Sequence, residues 1–215
     1  MHIAILTFEG FNEIDSLLAL GILNRVRRPG WRVSIATPAA RVRSMNGVVV
    51  EGQATLEDAA HADAVIVGSG VHTRDIAADR ALLARLRLDP ARQLVGAQCS
   101  GALLLARLGL LDGVPACTDL TTRPWVQAAG IGVLEQPFFA RGNVATAGGC
   151  LASQYLATWI VARSEGVEAA AAAMHDVAPV GEKDAYVARA LAHVTPYLAP
   201  GGPARAAIAG DPGAR

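Results

Sequence analysis

The feature that most constrains the fold is an alternation of short apolar runs with helical segments, joined by glycine-rich junctions. Four of these runs are rich in strand-forming residues. Apolar strands that alternate with helices form a mostly parallel sheet with right-handed connections and helices on both faces. We therefore predict an α/β fold. The four runs are residues 2–8 (HIAILTF), 31–37 (WRVSIAT), 63–67 (DAVIV) and 93–97 (QLVGA).

The remaining segments fit the same architecture. Asn12 is a suitable cap for a first helix, which Pro29-Gly30 is expected to stop. An Asn-Gly turn within residues 41–50 and the pattern of residues 132–146 both predict hairpins, and residues 119–125 are interpreted as a loop. Apolar periodicity predicts further helices over residues 73–88, 102–111, 150–164, 167–174 and 184–194.

The chain has 215 residues, of which 52% are hydrophobic and 18% are charged. Such a chain can bury enough apolar surface to offset the entropy of ordering it. We predict one domain over residues 1–198. Residues 199–215 consist mainly of Gly, Pro and Ala, with little to bury, and are predicted to form a mobile tail.

Charge and cysteine usage exclude several classes of partner. Nineteen basic residues balance nineteen acidic ones without any block of like charge, so the footprint of a nucleic-acid-binding protein is missing. The apolar runs are too short to span a membrane. Three cysteines and an N-terminus without a signal-peptide pattern lead us to expect a cytoplasmic protein. The cysteine and histidine spacings predict no metal site, and neither His72 nor His175 has the context of a catalytic triad.

The sharpest local feature is a cysteine placed between a predicted strand and a predicted helix, in residues 96–102 (GAQCSGA). Small neighbours allow the sharp turn of a nucleophile elbow, and the helix N-terminus favours a thiolate. Cys99 is thus a candidate nucleophile, although a small buried hydrophobic residue is an equally valid interpretation. Cys117 and Cys150 are interpreted as inert, although Cys150 follows two glycines at a predicted helix start.

Ligand sites of parallel α/β sheets lie beyond the carboxyl ends of the strands. Residues 9–15, 68–72 and 98–101 are the junctions that meet this condition. The N–H groups of Gly70 and Ser100 could converge there as an oxyanion hole, whereas a plain strand-end turn is the simpler interpretation of Gly70.

Asp15, three residues after Asn12, also has two interpretations. It could take part in reciprocal capping of the first helix. It could instead point toward the cysteine as a carboxylic acid that keeps its proton and can donate it.

Five motifs, in this order along the chain, resemble the DJ-1/PfpI superfamily, and within it the isonitrile-hydratase-like branch. The resemblance extends to about residue 198. The motifs are Phe8-Glu9-Gly10-Phe11 with Ile14-Asp15, Val67-Gly68-Ser69-Gly70, Gln98-Cys99-Ser100-Gly101-Ala102, Leu108-Gly109-Leu110-Leu111-Asp112-Gly113, and Thr146-Ala147-Gly148-Gly149.

The resemblance implies a flavodoxin-like three-layer sandwich, usually a homodimer, that uses no cofactor. It places the nucleophile on Cys99, the acidic partner on Asp15, and the oxyanion amides on Gly70 and Ser100. Ser100 fits the hydroxyl residue of the hydratase branch, whereas the protease-like branch has a histidine there. Two departures concern the substrate: Asp119 stands where many relatives have a histidine, and Gly68-Ser69-Gly70 replaces Pro-Gly-Gly.

The expected activity is hydration of an isonitrile to an N-substituted formamide. Cys99 attacks, Asp15 donates a proton, and Ser100 and Gly70 orient and stabilise. Two alternatives use the same cysteine. One is an oxidative-stress sensor or protective protein in which Cys99 is oxidised. The other is a glyoxalase-like or amidase-like activity on small carbonyls.

Overall fold

The computed structural model describes residues 1–198. The tail predicted for residues 199–215 lies outside the described residues. Within the described part of the chain, no helix has the length and apolar character needed to cross a membrane.

A seven-stranded sheet forms the centre of the fold, and a separate two-stranded hairpin lies beside it. The sheet has the order β5-β2-β1-β6-β7-β9-β8, and all neighbours are parallel except β9 and β8. The hairpin of β3 and β4 and the antiparallel pair of β8 and β9 confirm both predicted hairpins. The strands are β1 (His2–Leu6), β2 (Arg32–Thr37), β3 (Arg41–Arg43), β4 (Val49–Glu51), β5 (Ala54–Thr55), β6 (Ala64–Val67), β7 (Leu94–Gln98), β8 (Phe138–Arg141) and β9 (Val144–Ala147).

Within residues 1–198, eight α-helices cover the sheet, and short 3-10 turns occupy Glu57–His61, Cys150–Ala152 and Thr195–Tyr197. The helices are α1 (Glu13–Leu23), α2 (Thr73–Ile76), α3 (Arg80–Leu83), α4 (Gly101–Arg107), α5 (Arg123–Ala128), α6 (Ser153–Glu165), α7 (Val167–Val177) and α8 (Lys183–Val194).

Successive side chains of the central strands point to opposite faces of the sheet and so form two hydrophobic cores. In β1, Ile3 and Ile5 pack on one face with α1, α6, α7 and α8. Ala4 and Leu6 point to the opposite face, toward the core that α4 and α5 complete. Successive side chains of a strand point to opposite faces, so an apolar residue at every position indicates a sheet that is covered on both sides. The predicted three-layer, flavodoxin-like α/β sandwich is confirmed.

Several predicted helix boundaries are wrong, for local reasons. Helix α1 ends at Leu23, before Pro29, where the side-chain amide of Asn24 donates to the Leu20 carbonyl at 3.0 Å. Residues 73–88 form two short helices rather than one, since the Asp79 side chain accepts from Ala81 and Leu82 N–H and starts α3. The predicted helix over 102–111 ends at Arg107, and Gly109 follows with a φ of 72°.

The predicted loop over residues 119–125 runs into a helix instead. Helix α5 begins at Arg123, with Pro124 in its first turn, where proline is tolerated because no intrahelical N–H is needed. Trp125 is therefore a helical residue on the same side of the sheet as α4.

Candidate active site

Three chain junctions meet beyond the carboxyl ends of β1, β6 and β7. Asn12 N–H donates to the carbonyl of Ser69 at 2.9 Å, and Val71 N–H donates to the carbonyl of Gly10 at the same distance. These bonds join the β1–α1 and β6–α2 connections. The structure thus brings the three predicted junctions to one edge of the sheet.

Cys99 occupies the sharp turn between β7 and α4. Its φ is 44°, and within residues 1–198 it is the only residue other than glycine with a positive φ. The main chain is held on both sides: Cys99 N–H donates to the Ala147 carbonyl at 2.8 Å, and its carbonyl accepts from the Thr118 hydroxyl at 2.8 Å. A left-handed conformation costs a residue with a side chain roughly 1–2 kcal/mol. The position is therefore the strained elbow that the sequence predicts.

Gly101 permits the close contact between this elbow and the neighbouring strand. A Cβ atom at position 101 would lie 2.5 Å from the carbonyl oxygen of Val67. The absence of a side chain lets α4 start directly against the end of β6.

Asp15 lies on α1 and is fully buried. The hydroxyl of Ser69 donates to its Oδ2, and its Oδ1 has no hydrogen-bond partner among the described residues. Burial raises the pKa of the Asp15 carboxyl above its ordinary value, and this outweighs the hydrogen bond from Ser69, which acts in the opposite direction. The carboxyl is therefore biased toward its protonated form.

The alternative interpretation of Asp15 as a reciprocal helix cap does not fit the structure. Asn12 is the cap of α1, as predicted, and its side-chain oxygen accepts from Ile14 N–H at 3.1 Å. In a reciprocal cap the Asn12 N–H would bond to Asp15, but here it donates to the Ser69 carbonyl.

The thiol of Cys99 lies close to this carboxyl. A carboxylate oxygen of Asp15 and the sulfur atoms of Cys99 and Cys150 all lie within 4.8 Å of one another. Burial raises the pKa of Cys99 far above its ordinary value, and the nearby acidic groups of Asp15 and Cys150 raise it further. Burial opposes the thiolate that the sequence predicts, because Cys99 is only 4% exposed and the helix that follows it has only seven residues.

Cys150 belongs to the site, contrary to its sequence interpretation as an inert residue. It stands at the start of the 3-10 turn before α6 and is partly exposed. The Asn12 side-chain amide donates to its sulfur at 3.1 Å. The two glycines before Cys150 were the sequence signal of this strand-to-helix position, although they did not show which strand end it would face.

A network of hydroxyl groups lies on the other side of Cys99. Gly70 N–H donates to the hydroxyl oxygens of Thr73, at 3.1 Å, and Ser100, at 3.2 Å, and these two hydroxyls are 2.8 Å apart. The predicted oxyanion donor Gly70 is thus already bonded within the protein. Ser100 N–H, in contrast, has no partner among residues 1–198. Sequence reasoning missed Thr73, which is fully enclosed beneath this network.

These groups open into a cavity of about 430 Å³. Cys99, Ser100, Gly70 and Cys150 line it on the side of the sheet, and most of the surface exposed in the cavity is apolar. The further lining residues are Asn12, Met45, Ser69, Val71, Asp119, Thr121, Thr122 and Trp125.

Asp119 is the acidic residue at the edge of this cavity. Its carboxylate accepts from Thr122 N–H at 2.9 Å, and its charge contributes to the raised pKa of Asp15 and Cys99, after burial. Asp119, at the position where the family resemblance leads us to expect a histidine, therefore lines the same cavity as Cys99. His72 does not line the cavity, and its half-exposed ring lies 4.0 Å from Asp75. His175 is on α7 and does not line the cavity either.

Asp15, Cys99 and Cys150 are also the one group of three His, Cys, Asp or Glu residues in the described chain that could hold a metal ion. Two thiols and a carboxylate would suit a soft or borderline ion such as zinc. Metal binding would require both thiols to lose their protons. The sequence-based expectation of no metal remains a prediction.

The fold and the site together define an α/β sandwich protein with a cysteine in a nucleophile elbow. A model of the DJ-1/PfpI family matches residues 1–163, and the chain belongs to this family.

Solved structures of family members have the same fold. A ThiJ/PfpI family protein from Pseudomonas syringae is similar over 90% of this chain and 87% of its own, with a TM-score of 0.73 and 21% identity. An oxidised DJ-1 from Toxoplasma gondii has a TM-score of 0.69 and 21% identity, covering 82% of this chain and 97% of its own. DJ-1 of Schizosaccharomyces pombe has a TM-score of 0.70 at 14% identity, covering 83% and 100%. No curated protein sequence matches the chain.

Proposed function

We propose that this protein is a cysteine-dependent enzyme without a cofactor that hydrates an isonitrile to an N-substituted formamide. The observation that carries the proposal is a buried carboxyl, biased toward its protonated form, within 4.8 Å of the thiol of a strained elbow. An isonitrile carbon must accept both a nucleophile and a proton. Cys99 offers the nucleophile, and Asp15 offers the proton.

The neutral state of the pair suits this reaction. Cys99 sulfur forms a bond to the isonitrile carbon while Asp15 delivers a proton to the same carbon and takes up the thiol proton on its other oxygen. The product is a thioimidate on Cys99, with no net charge added to the cavity. A resting thiolate, which burial disfavours at this position, is not needed.

Water completes the cycle. It adds to the thioimidate carbon, the carbon–sulfur bond breaks, and the product leaves as a formamide while the thiol regains a proton. Ser100 N–H is free to donate to the oxygen that develops negative charge on that carbon. Gly70 and Thr73 act through Ser100 by holding its hydroxyl in place.

The cavity favours a small, neutral and largely apolar substrate. Its volume is about 430 Å³, and Met45, Val71 and Trp125 provide apolar walls for the substituent on nitrogen. Asp119 places a carboxylate at its edge, which disfavours anionic compounds.

The test is a kinetic assay of the purified protein with alkyl isonitriles, following the formamide proton by NMR. Because each of the two residues supplies part of one step, Cys99→Ala and Asp15→Asn are each expected to lower kcat by about 10²-fold or more. Cys117→Ser is the matched control, since Cys117 is a buried cysteine that does not line the cavity. Wild-type turnover in Asp15→Asn would exclude the mechanism.

A second function, a cysteine-based sensor of oxidants, is favoured by the unpartnered Oδ1 of Asp15 beside Cys99. A protonated carboxyl there could donate a hydrogen bond to an oxidised sulfur. One structural relative, the Toxoplasma gondii DJ-1, is described as oxidised. Selective oxidation of Cys99 by peroxide, without turnover of isonitriles, methylglyoxal or small amides, would favour this function.

A further inference from the structure

The proposed reaction leaves one thiol of the site without a role. Cys150 lines the same cavity as Cys99, and the two sulfurs lie within 4.8 Å of each other. Cys117, the third cysteine, is fully enclosed in a small cluster with Leu134 and Phe139. The geometry therefore singles out one pair of cysteines.

We propose that Cys150 is a resolving cysteine, which converts oxidised Cys99 into an intramolecular Cys99–Cys150 disulfide and so protects it from irreversible oxidation. This proposal does not depend on isonitrile turnover, because it concerns the two sulfurs and an oxidant only.

The approach of the two sulfurs requires movement of Cys150. A disulfide bond is about 2.05 Å long, so the sulfurs must come closer by up to roughly 3 Å. Cys99 cannot move easily, because Ala147 and Thr118 hold its main chain. Cys150 begins a three-residue 3-10 turn, whose next residue, Leu151, is 66% exposed. Ala152, at the end of the turn, is buried in the core, so the required shift is confined to Cys150 and Leu151 at its start.

The surroundings of Cys150 suit an attacking thiol. The side-chain amide of Asn12 donates to its sulfur, which opposes the rise in the pKa of Cys150 caused by burial and by Asp15. Cys150 is also more exposed than Cys99. Of the two thiols, Cys150 therefore loses its proton more readily and acts as the nucleophile of the second step.

The oxidant we infer is a hydroperoxide. It transfers one oxygen to the Cys99 thiol, giving a sulfenic acid and the corresponding alcohol or water. Cys150 sulfur then attacks Cys99 sulfur, the S–O bond breaks, and the hydroxide leaves as water with a proton supplied by Asp15, which recovers one from the Cys150 thiol. An external dithiol reverses the step by exchange, becoming a disulfide itself.

The test is mass spectrometry of the full chain after treatment with several equivalents of hydrogen peroxide. Wild-type protein is expected to lose the mass of two hydrogen atoms, with a peptide that links Cys99 and Cys150 and is cleaved by dithiothreitol. Cys150→Ser, with Cys150→Ala as a second variant, is expected to gain two oxygen atoms at Cys99 instead. Cys117→Ser is the matched control and should behave like wild type.

Three outcomes would overturn the proposal. The first is sulfinic acid that forms in wild type as fast as in Cys150→Ser. The second is a disulfide that includes Cys117. The third is a disulfide between two chains, seen on a non-reducing gel. Since the readout is a mass, a protein that hydrates no isonitrile would still give a decisive result. For a protein that does, peroxide should abolish turnover and dithiothreitol should restore it in wild type but not in Cys150→Ser.

Discussion

At the scale of single residues, the buried carboxyl of Asp15 links stability to pH. Its pKa in the folded protein is above the ordinary 3.8, because burial disfavours the charge. The unfolded chain releases this proton near the ordinary value, whereas the folded protein keeps it to higher pH. The folded state thus binds more protons in that window, and the free energy of unfolding falls as pH rises through it.

Asp15→Asn removes this loss of stability with rising pH, because the amide does not titrate. The variant is expected to gain stability relative to wild type as pH rises from about 4 to about 7, by roughly 1.4 kcal/mol for each unit by which the pKa is raised. Urea unfolding at a series of pH values measures the difference. Asp75→Asn, at an exposed carboxyl, is the control for the loss of one acidic group. A difference between Asp15→Asn and wild type that stays constant with pH would contradict the prediction.

The positive φ of Cys99 leads to a second prediction. Glycine adopts this conformation without the steric cost of a Cβ atom. We expect Cys99→Gly to be about 1 kcal/mol more stable than Cys99→Ala, the reverse of the usual order of these residues. Ala106→Gly, within α4, supplies the comparison and should lose about 1 kcal/mol. Thermal and urea unfolding of wild type, Cys99→Gly, Cys99→Ala and Ala106→Gly measure these differences in stability. If Cys99→Gly were the less stable of its pair, the elbow would not be strained.

Sequence reasoning found the candidate residues that local context marks. Cys99 stands between a strand and a helix among small residues, and Asp15 follows a strand end. Cys150 was missed because its importance comes from the atoms that α1 and β7 bring to it, which no local pattern contains. The burial that opposes ionisation of Cys99 was missed for a related reason, because burial is a property of the assembled fold.

At the scale of elements, the junction of β7 and α4 depends on close packing against β6. Gly101→Ala is expected to lower the free energy of unfolding by about 1–3 kcal/mol, since its Cβ would lie 2.5 Å from the Val67 carbonyl oxygen. It should also lower activity by displacing Cys99. Gly21→Ala in α1 is the matched control, because nothing lies within 4 Å of its Cβ position. That change should stabilise by about 0.5–1 kcal/mol. Equal effects of the two substitutions in urea unfolding would be inconsistent with a packing constraint at position 101.

The order of elements could be predicted more accurately than their ends. β6, and β1 after His2, have apolar residues at every position, a pattern that does not depend on which strands lie beside them. The ends of helices depend on single interactions, such as the Asp79 cap that divides residues 73–88. The path from Asp119 into α5 depends on packing of Val126 and Trp125 against the sheet, which the sequence pattern does not reveal.

At the scale of the whole molecule, four exposed apolar side chains lie in the cavity lining or next to it in sequence. Met45 and Val71 line the cavity, and Leu120 and Leu151 directly follow the lining residues Asp119 and Cys150. A cluster of exposed apolar residues indicates a surface that another molecule covers. We predict a homodimer, so sedimentation velocity should give twice the 22.2 kDa of one chain.

Substitutions on this surface test the dimer. Val71→Asp combined with Leu151→Asp should give a monomer, because the carboxylates introduced on each chain would be buried in the interface without a partner. Val180→Asp, at a side chain that is 93% exposed in the turn between α7 and α8, should leave the mass unchanged. A wild-type chain that sediments as a monomer at high concentration would refute the prediction.

The site is assembled from distant parts of the chain. Asn12 and Cys150, which are in direct contact, are 138 residues apart in sequence. During synthesis, Asp15 and Cys99 leave the ribosome well before β9 and Cys150. The growing chain therefore has thiols without these partners, and the reactivity that we propose can begin only when β9 joins the sheet and brings Cys150 to Asn12 and Cys99.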